Sequence, residues 1–138
     1  MISVTLSESL VQSIILIIRT AFPTTLALYL FGSHAGGTAN SNSDLDLAVL
    51  VAGYADPLRL WEISNDLANV VGCEIDLLDM RAASTVMQYQ ILQTGHRLWA
   101  NKLEADLFEC FVLNEKLDFD RSRANLLANI QKKGTIYG

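Results

Sequence analysis

Scarcity frames the first reading of this chain, which has only two prolines and two cysteines in 138 residues. Two cysteines cannot build a disulfide framework, and neither Cys73 nor Cys110 stands at a metal-ligand spacing from His34 or His96. Both are expected as small core residues in a reducing compartment. Basic residues are few as well. Ten Lys and Arg against fifteen Asp and Glu leave a net charge of −5, which excludes the standing grip on nucleic acid that comes from neutralising phosphates. No apolar run is long enough for a bilayer. Ile14 to Ile18 is short and follows Glu8 rather than a basic segment, so neither a membrane span nor a secretory signal is expected, and the expected compartment is the cytoplasm.

Apolar residues are abundant, at 51% of a chain whose length suits one core and not two. One domain over 1–138 is expected, with 103–138 as a helical C-terminal segment and tail. The apolar excess points to a partner surface. Ser7 or Ser9 can cap a first helix reaching about Thr20, where Phe22-Pro23 stops it. Leu16 and Ile17 widen its apolar stripe beyond what one sheet covers, so a second buried side is expected. Residues 25 to 31 and 45 to 51 read as strands around a turn rich in Gly, Ser, Thr and Asn. Asp56-Pro57 opens a helix to about Val70, with Leu58, Leu60, Trp61, Ile63, Leu67 and Val70 as core candidates. A strand at Glu74 to Leu78, a helix from Ala83 to Gln93 and a short edge strand at His96 to Ala100 follow. From Leu103 the pattern is helical again, with Leu107, Phe108, Phe111 and Val112 at helical spacing, and a polar tail begins near Asp118.

The chemistry is concentrated in FGSHAGGTANSNSDLDLAVL, residues 31 to 50. Gly32-Ser33 precedes Asp44-Leu45-Asp46 by ten residues, with a strand-like run on each side. Side chains alternate along a strand, so Asp44 and Asp46 share a face and can share Mg²⁺, while Leu45 and Leu47 enter the core. Adjacent carboxylates otherwise repel, unless a cation neutralises them or both face open water. Gly32 lets backbone approach a phosphate, and Ser33 offers a hydroxyl and an N–H to its oxygens. A triphosphate held between a small-residue turn and a metal-binding strand is the expected site. Asp118-Phe119-Asp120 repeats the Asp-x-Asp pattern without the Gly-Ser and is read as a solvated turn or helix start.

Two-metal nucleotidyl transfer needs a further carboxylate to complete the site and help take a proton from the attacking hydroxyl. The third strand supplies one. Glu74 and Asp76 share a face, so either could serve, and Asp76 is preferred as the more central; Asp79 points the other way if the strand is regular.

These residues resemble the nucleotidyltransferase superfamily typified by DNA polymerase β, and more narrowly the minimal nucleotidyltransferases, or MNT proteins. The likeness covers about residues 10 to 100, with Gly95-His96-Arg97-Leu98-Trp99 similar to the family's closing strand. It implies an α/β (α+β) nucleotidyltransferase fold, a mixed sheet flanked by helices, with Gly32 and Ser33 at the nucleotide phosphates and Asp44, Asp46 and Asp76 at two Mg²⁺ ions. It also implies ATP as substrate and a HEPN-domain ribonuclease toxin as partner in a hetero-oligomer, silenced by transfer of AMP to a tyrosine hydroxyl. One departure stands out. Many minimal members carry Arg three residues after the motif Ser, where this chain has Gly36, and His34 is a weaker phosphate partner because it is mostly neutral at pH 7. Reduced turnover is the expected consequence. Two other readings compete with the enzyme: an antitoxin that neutralises by covering its partner, and a small-molecule nucleotidyltransferase of the aminoglycoside-modifying kind, for which little chain remains to build an acceptor pocket.

Overall fold

Ser7 opens the first helix, its Oγ accepting the Leu10 N–H at 3.2 Å. The computed structural model describes residues 7–32 and 44–137, with side chains as far as Ile130. Helix α1 (Glu8–Ala21) buries Ile14, Ile15 and Ile18. Ile17 packs beside them on the chain's own core, so the second apolar side expected of this helix shrinks to Leu16, which is 67% exposed. The arc is wider than one sheet face requires because α1 also touches the helix that follows β2.

The two strands around the motif have the expected bounds, β1 (Thr25–Phe31) and β2 (Leu45–Val51). They pair antiparallel. Helix α2 (Pro57–Val71) starts where Asp56 Oδ1 accepts the Leu58 N–H at 3.1 Å and ends at Gly72, whose φ of +86° suits a residue without Cβ. Strand β3 (Ile75–Asp79) then runs parallel to β2. Helix α3 (Thr85–Thr94) begins two residues later than the pattern indicated, because Ser84 caps it by accepting the Met87 N–H. Strand β4 (His96–Ala100) pairs antiparallel with the other side of β1. The sheet order is β3-β2-β1-β4, a mixed sheet as expected.

Strand alternation divides the interior in two. Leu45, Leu47, Val49 and Val51 of β2 face one cluster with α1 and α2. Ala48 and Leu50 face a second cluster with Met80, with Ile91 of α3, and with Ala105, Phe108 and Val112 of helix α4 (Lys102–Tyr137). Helices therefore cover both faces of the sheet.

Four expectations need correction. In α2 only Ile63 and Leu67 are buried, while Leu58, Trp61 and Val70 are exposed, because a 3.6-residue period leaves two apolar faces and the sheet accepts one. Cys110 is exposed rather than core, since it lies opposite the Ala105, Phe108 and Val112 stripe; Cys73 does pack on the core. Of the four apolar residues at helical spacing, Phe108 and Val112 are buried and Leu107 and Phe111 are exposed. The polar tail and the Asp118-Phe119-Asp120 turn are instead continuous helix within the 36 residues of α4. No proline interrupts this segment, and Lys116 reaches Asp120 one turn on at 2.8 Å. Among the described residues no helix is long and apolar enough to cross a membrane.

Candidate active site

Register brings the acids together. The parallel ladder pairs Leu45 with Ile75 and Asp46 with Asp76, on strands spaced about 4.8 Å apart. Leu45, Leu47, Ile75 and Leu77 all pack toward the α1 and α2 side, so alternation sends Asp46 and Asp76 to the opposite face. Asp44 stands exposed one residue before β2. Glu74 falls just outside β3, where its carbonyl accepts the Leu45 N–H at 2.9 Å. Asp76, rather than Glu74, is the residue opposite Asp46.

Gly32 completes the arrangement from the other neighbouring strand. Phe31 is the β1 partner of Asp46, and Gly32 follows it with φ of +75°, which only glycine adopts at little cost. A Cβ at this position would overlap Asp46 Oδ2. What the structure gives this glycine is the clearing of space for the Asp46 carboxylate. Ser33, His34 and Gly36 lie outside the described residues.

A cavity of about 460 Å³ opens at the β3 side, lined by Asp44, Glu74 and Asp76 and, from α2, by Trp61, Ser64 and Asn65. Trp61 is 64% exposed on its wall. Burial, and after it the Asp44 charge, pushes the Cys73 thiol above its ordinary range and keeps it protonated. At the far end of the same strands lies a more apolar cavity of about 680 Å³, beside Tyr54, Ala55, Leu78 and Met87.

The donors suit a hard cation. Among the described residues no three His, Cys, Asp or Glu side chains converge into a metal cage. Mg²⁺ does not require one, since it commonly takes one or two carboxylates and completes its shell with substrate phosphates and water. Carboxylates on adjacent strands, one of them cleared by a glycine, fit that pattern.

Two features escaped the sequence reading. Trp61 was assigned to the core, and only its position on α2 beside β3 shows it to line a cavity. A polar network also ties α4 to the sheet: Tyr29 Oη donates to Glu109 Oε2 at 2.9 Å, and Arg97 Nη1 donates to both Glu109 and Asp106 at 2.9 Å. Burial is the main cause that raises the Tyr29 phenol above its ordinary range, with Glu109 adding to it. No local signal links residues eighty positions apart; the one hint was Asp106 and Glu109 at helical spacing.

The geometry has counterparts among known proteins. Protein adenylyltransferase MntA of Shewanella oneidensis is 40% identical over 97 residues, 70% of each chain. A chain in the crystal structure of a toxin-antitoxin with AMP-PNP superposes with a TM-score of 0.78 at 32% identity, covering 88% of this chain and 98% of that one. A chain in the structure of a tri-AMPylated Shewanella oneidensis HEPN toxin in complex with MNT antitoxin gives a TM-score of 0.74 at 28% identity, covering 90% and 98%. Residues 12–104 match the family described as polymerase beta, nucleotidyltransferase. Fold, carboxylate-bearing strands and sequence agree, and the chain belongs to this nucleotidyltransferase family.

Proposed function

We propose that the chain transfers AMP from ATP to a tyrosine hydroxyl of a HEPN-domain ribonuclease toxin, releasing pyrophosphate and acting as the toxin's antitoxin. The observation that carries this reading is the pairing of Asp46 with Asp76 across β2 and β3, beside a glycine whose missing side chain makes room for Asp46. The similarity to an adenylyltransferase and to complexes containing an AMPylated HEPN toxin or an ATP analogue supports the substrate and the partner.

Asp44, Asp46 and Asp76 are the proposed holders of two Mg²⁺ ions, which when bound stabilise the charge that builds on the phosphates. Gly32 and Ser33 are assigned to the triphosphate. Asp76 is assigned to help take the proton of the incoming hydroxyl. A bond forms between the tyrosine oxygen and the α-phosphorus, and the bond from that phosphorus to the oxygen bridging toward the β-phosphate breaks. The cytoplasm, where ATP and reduced thiols are found, is the compartment this chemistry requires.

A second reading, neutralisation by cover alone, draws on the exposed Leu117, Phe119, Leu126, Leu127 and Ile130 of α4. One experiment separates the two. The full chain is incubated with the toxin encoded beside it, ATP and Mg²⁺, and the toxin is weighed by intact-mass spectrometry. Gains of roughly 329 Da for each AMP, abolished by EDTA, are expected. An unmodified toxin that Asp46→Asn still neutralises fully would leave the protein a binding antitoxin.

A further inference from the structure

We infer that Gly95, at the corner between α3 and β4, is a positioning residue for the site: its missing side chain lets that corner seat against the end of β1 and so keeps Gly32 and Asp46 in close approach. The inference rests on the adenylyltransferase reading above. Of the four glycines whose surroundings the structure describes, Gly53 and Gly72 have open space where a Cβ would stand, and Gly32 and Gly95 do not. The two crowded ones flank the same end of β1. A Cβ on Gly32 would overlap the Asp46 carboxylate, and one on Gly95 would lie 2.5 Å from the Ile91 carbonyl oxygen, 2.7 Å from that of Leu30 and 3.4 Å from Phe31 Cβ. Gly95 has a φ of −90°, which residues of every kind adopt, so contact and not conformation reserves this position for glycine.

Register shows what that contact controls. Leu30 pairs with His96, so Gly95 falls beside Phe31; Phe31 pairs with Asp46, and Asp46 with Asp76. One row across the end of the sheet therefore reads Gly95, Phe31, Asp46, Asp76. Phe31 packs on the second cluster, the side of the sheet to which Asp46 also turns. A side chain at position 95 has to push either α3 or the end of β1. The α3 side is held, because Ile91 is 1% exposed in the core and its carbonyl accepts the Gly95 N–H at 2.8 Å. β1 ends at Phe31, and Gly32 after it is exposed. The displacement therefore passes to Phe31 and Gly32, and close packing carries it to the Asp46 carboxylate that Gly32 clears.

The test uses the full chain, the HEPN toxin encoded beside it, ATP and Mg²⁺, with Gly53→Ala as the control. Gly53 has a φ of +80° and lies past the far end of β2, so alanine strains the fold there without touching the site. At a temperature where circular dichroism shows both variants folded, Gly95→Ala should lower kcat about tenfold and raise the Mg²⁺ concentration for half-maximal rate about tenfold, with the KM for toxin within about twofold. Gly53→Ala should keep wild-type values for all three. Hydrogen exchange on the wild type gives a readout independent of turnover and of whether Gly95→Ala folds: AMP-PNP with Mg²⁺ should slow exchange at 93–96 together with 31–32 and leave 53–54 unchanged. A folded Gly95→Ala with wild-type kcat and Mg²⁺ dependence would overturn the inference and leave the proposed function standing, and so would exchange at 93–96 that does not respond to the nucleotide. Absence of AMP on the toxin with the wild-type chain would end both readings.

Discussion

Asp76 and Asp79 sit three residues apart on one strand and live in different chemical worlds. Asp79 is 7% exposed, and its carboxylate accepts the Ala55 N–H at 2.9 Å and the Arg81 N–H at 3.0 Å. It fastens the loop before α2 to the turn before α3, with fixed donors supplied by backbone. Asp76 is exposed, on the other face, and its cross-strand neighbour is another acid. Like charges at facing positions add nothing to folding by themselves, and a cation bound there would offset their repulsion. The contrast teaches that a carboxylate is read by its partners: one held by backbone donors of the chain belongs to the fold, and one facing its like is a candidate for holding a ligand.

The sharpest way to test this contrast is to remove one charge at a time. Asp46→Asn and Asp44→Asn should each lower AMP transfer about a thousandfold or more, since several kcal/mol of transition-state stabilisation depend on the metal ligands. Their melting temperatures should stay near wild type. Asp76→Asn should fall in the same class and Glu74→Gln should not. Transfer by either β2 mutant at near wild-type rate, at ordinary Mg²⁺, would break the comparison.

Gly32→Ala comes next. Its Cβ would displace the Asp46 carboxylate, and positive φ costs a residue with a side chain about 1–2 kcal/mol. Transfer should fall roughly a hundredfold through misplacement of the carboxylate, with a modest drop in thermal midpoint by circular dichroism. Asp79→Asn should show the opposite profile: a loss of roughly 1–3 kcal/mol in urea unfolding, because a buried acceptor loses its charge and one of two bonds, with transfer within a few-fold of wild type at low temperature. The smallest effect belongs to Asp106. Lys102 first, and then Arg97, hold its carboxyl below the ordinary range, so what the ion pairs contribute is present above the unfolded carboxyl's value near 4 and fades as pH falls through the lower folded one. Asp106→Asn should therefore flatten stability against pH below about 4 and leave the neutral range almost unchanged.

Legibility followed the strength of local signals. β1 and β2 read cleanly because each apolar run meets small or polar residues at both ends, and the acid pair between them needed only strand periodicity. β3 and α3 shifted by a residue or two, since a cap such as Ser84 competes with its neighbours until the chain is placed. Trp61 was misread because amphipathic period alone cannot say which of two apolar faces meets the sheet. The C-terminal segment looked like a tail because a helix exposed on nearly all sides has the composition of one. That Asp76 rather than Glu74 lies opposite Asp46 is set by register, a long-range property; Ser33 falls outside the described residues.

The parallel ladder between β2 and β3 also bears on how this chain tolerates insertions and deletions. A slip of one residue in β3 would carry Asp76 to the α2 side and push Leu77, 6% exposed, out into water, because the side-chain period of a strand is two. The spacing of the proposed site and the burial of the core are thus written in the same register. A one-residue change in the turn 72–74 has to be absorbed in that turn, since any shift passed on to β3 would lose the core and the proposed site together.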